Sequence, residues 1–304
     1  MQDSSQDTAQ ILVQDLLKEK RRERRWKNIR FIAWFLLIIY LIIQATHYTQ
    51  PSSKGFSETY AALIRLDGMI APGRGFSAED TIPTLQSAFK DKDAKGIILA
   101  INSPGGTPVQ AAIIHDAILN LKKKYHKKIV VVGEDFLTSG AYFVAVAADK
   151  IYVNPNTLTG SIGVIMKGFG FVDAMKKLGI ERRVYISGND KDRLDPFLPQ
   201  SETDLQKIQS VMSEVHQHFV QAVLEGRKGK LPHDTSHLFN GDFWSGESAL
   251  KLGLVDGMGN LLDVLEKEFN TTNYKEFGDS TTSFFRLLGG KLSSTFDTLF
   301  YAYG

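Results

Sequence analysis

From Thr59 onward the apolar positions follow two alternating rhythms. Short runs rich in β-branched residues, continuous rather than alternating, predict buried strands over 60–70, 96–103, 128–135, 150–155, 160–166 and 181–187. Between them, apolar residues at three- and four-residue spacing predict helices over 79–91, 107–125, 139–149 and 171–179. A longer helix is expected over 201–227, where Leu205, Ile208, Val211, Met212, Val215 and Phe219 form one stripe that suits a core or a subunit contact. The stretch 241–269 then reads as a turn, a short helix, a strand and a last helix. Strands alternating with helices give an α/β architecture whose default pairing is parallel.

The N-terminal region breaks this rhythm. A basic block, "KEKRRERRWKNIR", precedes the uncharged run "FIAWFLLIIYLIIQA" from Phe31 to Ala45. That run is short of the roughly 20 residues that cross a bilayer, but Trp26 and Ile29 lengthen it if Lys27 and Arg30 snorkel. It reads as one transmembrane signal anchor over 26–46, with the basic segment 1–25 in the cytoplasm and everything after it translocated. A cleaved signal peptide is the competing reading, with Ala45 as a weak cleavage position. Residues 47–57 are polar with Pro and Gly and read as a linker. The folded domain is expected over 58–270. An aromatic, apolar tail follows over 271–304, suited to lipid, to a neighbouring subunit or to a docked terminal helix.

Composition narrows the chemistry. The 304-residue chain has 43% hydrophobic residues and a formal net charge of +2, with much of the positive charge in the N-terminal block, so nucleic acid is not an expected partner. It contains no cysteine, which excludes disulfides, thiol nucleophiles and cysteine-held zinc. No histidine, aspartate and glutamate pattern has metal-ligand spacing, so neither metal nor cofactor is expected.

Two strand-to-helix turns fall at the carboxyl ends of consecutive predicted strands. In "AINSPGG", Gly105 and Gly106 can take conformations closed to other residues and aim backbone N–H groups at a developing oxyanion; the alternative is an ordinary tight turn. One strand later, Ser139-Gly140 opens a helix. Ser139 is either a nucleophile, with the Gly140 and Gly106 N–H groups as its oxyanion hole, or a simple N-cap. A serine nucleophile needs a base. His115, His126, His216, His218, His233 and His237 are poorly placed for this, and a neutral lysine is the other option. Lys191 lies in the irregular segment "SGNDKDRLDP", while Lys167 and Lys150 are fallbacks.

The motifs "INSPGG", "SGAYFVAVAADKIYVNPNTLTGSIGVI", the "KD" at Lys191 and the ending "LFNGDFWSGESALKLGLVDGMGN" resemble the signal peptide peptidase A (protease IV) family, over about Tyr60 to Phe269. The resemblance implies a ClpP/crotonase-like domain of repeated β-β-α units. It also implies a Ser-Lys dyad of Ser139 and Lys191, with Ser161 orienting the lysine. It implies a membrane-bound serine endopeptidase of the single-copy form that assembles into a homo-oligomeric ring and cleaves hydrophobic peptides such as remnant signal peptides. Its expected location is the inner membrane, single-pass, with the catalytic domain on the extracytoplasmic side. The substrate would lie extended against Ile162, Gly163 and Val164. A crotonase-like acyl-CoA enzyme and an inactive membrane scaffold are the alternatives.

Overall fold

The computed structural model describes residues 20, 22, 25–41, 59–73 and 75–278; the linker and most of the C-terminal tail lie outside them. The chain divides into two compact units, Met1–Ser57 and Glu58–Gly304. In the first, residues 25–41 form a helix, α1, with its large apolar side chains exposed on all sides. Among the described residues no helix is long and apolar enough to cross a membrane. The last part of the apolar run, 42–45, falls outside them.

The second unit is built on an eight-stranded sheet. β1 (Tyr60–Asp67), α2 (Ala78–Lys90), β2 (Ala94–Ser103), α3 (Pro108–Tyr125), β3 (Ile129–Thr138) and α4 (Gly140–Ala145) follow one another as the patterning predicts. β4 (Lys150–Val153) pairs with the first half of β3, and β5 (Leu158–Gly160) pairs with its second half. All these pairings are parallel; β6 (Phe243–Ser245) closes the β5 side antiparallel. β7 (Gly257–Met258) extends β4, and β8 (Tyr274–Glu276), inside the segment expected to be tail, pairs parallel with β1.

Both faces of the sheet are buried, which is why its strands read as continuous apolar runs. Ala62, Ile64, Leu66, Ile97, Leu99 and Ile101 pack with the helical layer that contains α2, α3 and α4. Ala61, Leu63, Ile98, Ala100, Val130 and Val132 pack against α8 (Leu261–Phe269). Because the strands run parallel, every strand-to-helix turn from β1 to β4 opens at one edge of the sheet, and this convergence positions the site.

Three expectations are corrected. The helix expected over 139–149 is only six residues long: past Ala145 it tightens into turns, Ala147 N–H donating to Val144 O and Ala148 N–H to Ala145 O, before Asp149 N–H joins Ile129 O. The strands expected over 160–166 and 181–187 are absent: β5 ends at Gly160, and residues 180–186 belong to no ladder. A strand needs a neighbouring edge to receive its N–H and C=O groups. The chain supplies none here, and Tyr185 stands 90% exposed. The segment 163–200 carries only α5 (Val172–Leu178), which has no buried residue. It rejoins the fold at α6 (Glu202–Gly226), and α7 (Gly246–Lys251) follows β6.

Candidate active site

Two turns meet where β2 and β3 end. At the first, Ser103 is fully buried and its hydroxyl accepts the Gly105 N–H at 3.1 Å. Gly105 and Gly106 have φ of +103° and +154°. The strand continuation after β1 holds them in place: Ile70 N–H donates to Gly105 O at 2.8 Å, and Ile70 O accepts Thr107 N–H at 2.9 Å. A side chain at Gly106 would overlap the Ile70 carbonyl, so only glycine fits between these two bonds.

At the second turn, Ser139 has φ +53° and ψ −125°, a strained conformation for a residue with a side chain. These angles bear on the capping reading of Ser139. An N-cap has extended backbone and lends its oxygen to the helix, whereas the Ser139 side chain makes no capping bond. The strain is held from both sides. Ser139 N–H donates to Gly160 O at 2.8 Å, and Ser139 O accepts the Phe143 N–H at 3.0 Å. Behind it α4 is buried almost throughout, and Tyr142 donates its hydroxyl to Leu254 O at 2.7 Å. Burial pushes the Tyr142 phenol pKa far up, so it remains a neutral donor.

The turns touch. A β-carbon added at Gly105 would lie 2.7 Å from the Ser139 Cβ, and one at Gly140 would lie 3.3 Å from the Gly106 nitrogen. Among the described residues the N–H groups of Gly106 and Gly140 donate to nothing. Beside the half-buried Ser139 they form a pair of free amide donors suited to a tetrahedral oxyanion.

Ser161 directly follows the residue whose carbonyl receives the Ser139 N–H; its own φ is +51°, and its N–H donates to Asp242 O at 2.7 Å. Ile162 is fully buried in the core, so only its backbone is free to face a peptide, while Gly163 packs on Gly241 and Val164 is half-buried. Lys191 is exposed in the turn 188–194, and no hydrogen bond joins its amine to Ser139 or Ser161. Lys150 lies at the opposite edge of the sheet, paired with Glu268 at 2.9 Å, and Lys167 is exposed. His115 sits behind α4, its ring 5.1 Å from that of Phe143 and its Nδ1 on Asp116.

Sequence patterns missed Ile70, whose backbone clamps the glycine turn, and Trp244, whose ring fills the space beside Gly160. Neither has a local signal. Tyr142 did offer one: a phenol inside an alanine-rich apolar helix must find an acceptor.

A family model described as peptidase family S49 matches residues 121–275. A protein named Putative protease MJ0651, from Methanocaldococcus jannaschii, is 35% identical over 211 residues, covering 69% of this chain and 67% of its own length. Putative signal peptide peptidase SppA from Enterococcus faecium is 32% identical over 214 residues, covering 69% and 62%. A protein named Na(+)/H(+) antiporter NhaA from Brucella melitensis is 42% identical over 217 residues; these are 70% of this chain but 29% of that protein, so the chain spans less than a third of it.

Proposed function

The chain belongs to peptidase family S49, a serine peptidase family, and from that premise we propose that it is a membrane-anchored endopeptidase working through a Ser139–Lys191 dyad. The observation that carries this is the strained Ser139 beside two unpartnered amide donors. Lys191, neutral, takes the hydroxyl proton as Ser139 Oγ attacks a peptide carbonyl, and Ser161 orients the amine. The oxyanion forms against the Gly106 and Gly140 N–H groups. Each such donor contributes about 10²–10³ in turnover. The proton passes to the leaving amine, and water then hydrolyses the acyl-enzyme. Two successive strand-to-helix turns supplying these parts suit the ClpP/crotonase type of domain.

Exposure of Lys191 and of apolar side chains in the same segment, 163–200, points to a missing neighbour. Ile165, Phe169, Leu178, Ile180 and Tyr185 are all exposed, and 181–186 forms no backbone hydrogen bond among the described residues. We assign the cover to a second copy of the chain in a ring, with the lysine of one copy serving the serine of the next. The all-round apolar exposure of α1 supports its burial in lipid. The basic block then stays in the cytoplasm, and the catalytic unit lies on the extracytoplasmic side of the inner membrane. Hydrophobic peptides, including signal-peptide remnants, are the expected substrates, extended along 162–164.

The test uses the full chain in detergent with a hydrophobic fluorogenic peptide. Ser139→Ala and Lys191→Ala each abolish cleavage, and co-assembling the two variants restores part of it. Wild-type turnover by either single variant defeats the dyad. Inactivity of the mixed particles defeats its sharing between copies.

A further inference from the structure

The parallel sheet has a second edge, and its charge is unlike that of the catalytic one. The strands from β1 to β4 and β8 all begin there, so the α2–β2 connection, the end of α3, Lys150, the end of α8 and the residues before β8 are brought together. Side-chain contacts show that they form one continuous surface. Lys127 reaches the carbonyls of Ala88 and Asp91, Lys275 pairs with Asp91, Lys95 reaches Phe269 O, and Lys128 and Lys150 share Glu268.

On this edge the carboxylates are mostly consumed while the cations are not. Asp91, Asp149 and Glu268 are each engaged by lysine, leaving Asp93 and Glu266. Among the described residues Lys90, Lys92, Lys95, Lys123 and Lys124, by contrast, form no ion pair with a carboxylate. At the carboxyl edge the sign reverses: Asp67, Glu134, Asp135 and Asp242 flank the site, with Arg65 paired to Glu134.

We propose that this lysine edge lies against an anionic membrane surface and stands the catalytic edge away from it. The occupant follows from charge: surplus fixed cations gathered on one edge meet acidic headgroups. The chain also enters the fold on this edge, β1 starting at Tyr60 under the Lys275 amine. With β2 ten residues long, the site would stand about 33 Å above the headgroups. It would then act on segments that have left the bilayer. The choice of a membrane as the occupant rests on the anchor reading, not on the dyad; the charge of the edge depends on neither.

The cysteine-free chain allows a direct measurement. Val109 and Lys124 are exposed near opposite ends of α3, about 22 Å apart along the helix axis. Single-cysteine variants Val109→Cys and Lys124→Cys of the full chain carry a donor dye in phosphatidylcholine vesicles, with and without phosphatidylglycerol, that hold an acceptor headgroup lipid. In the phosphatidylglycerol vesicles, transfer from position 124 should exceed that from 109 by at least about twofold. The excess should fall away in pure phosphatidylcholine and in 1 M salt, where the screening length is ~3 Å. Lys90→Glu/Lys92→Glu/Lys123→Glu should abolish the excess and leave peptide turnover in detergent unchanged. Equal transfer from the two positions, or greater transfer from 109, overturns the proposal. Complete release by alkaline carbonate from vesicles that show the excess would sink the anchor reading and keep the lysine edge.

Discussion

Replacing Gly105 with alanine tests the meeting of the two turns. At φ +103° any side chain is strained, at a cost of about 1–3 kcal/mol. Gly229, at φ +75° with open space around it, bears a comparable strain and nothing more, so Gly229→Ala is the control. At Gly105 the new methyl would also lie 2.7 Å from both Gly140 N and Ser139 Cβ, and 2.9 Å from Thr138 O. None of these is the end of a flexible side chain. Ordinary contact begins near 3.4 Å, so the β3–α4 turn must move by roughly 0.7 Å relative to the glycine turn. A shift approaching 1 Å between nucleophile and oxyanion donors lowers turnover by about 100-fold. The assay is kcat and KM on a hydrophobic fluorogenic peptide, with thermal melting of each variant alongside. Gly105→Ala should lose kcat with KM little changed, while Gly229→Ala melts lower at full kcat. Equal kcat in the two variants would refute the juxtaposition of the turns.

Two further outcomes follow from buried polar groups. Tyr142→Phe strands the Leu254 carbonyl in the core, costing about 1–3 kcal/mol; at roughly 2–4 °C per kcal/mol in a unit of this size, melting should fall by several degrees. An unchanged melting temperature would remove that bond from the account of how α4 is held. Glu268 is desolvated, which raises its pKa, but Lys128, Tyr152 and Lys150 outweigh this and hold it down at about 2, against an ordinary value of 4.5. The stabilisation it gives is fully present above pH 4.5 and is lost as pH falls toward 2. Glu268→Gln should therefore melt lower at neutral pH and show a shallower fall in melting temperature between pH 5 and 3; an unaltered acid limb would contradict the pairing.

The local order of strands and helices up to β4 was legible from apolar spacing, because a sheet buried on both faces leaves continuous β-branched runs that no helix stripe imitates. Gly105, Gly106 and Ser139 were legible as candidates for a similar reason: strand-to-helix turns in a parallel sheet open at one edge, whatever their distance in sequence. What no sequence pattern gave at Ser139 was its backbone conformation, unlike that of an ordinary N-cap, which the β5 carbonyl and the buried α4 impose together. The failed strands at 160–166 and 181–187 show the limit of propensity. Val184, Tyr185 and Ile186 favour extended backbone, but a strand exists only where another edge accepts its hydrogen bonds. The lysine edge was likewise invisible along the chain, where its residues are scattered from Lys90 to Lys275 among ordinary charges. Sequence determined which residues carry charge and which hide from water. The parallel stacking of the strands decided that the lysines gather at one end of the sheet and the serine with its free amides at the other.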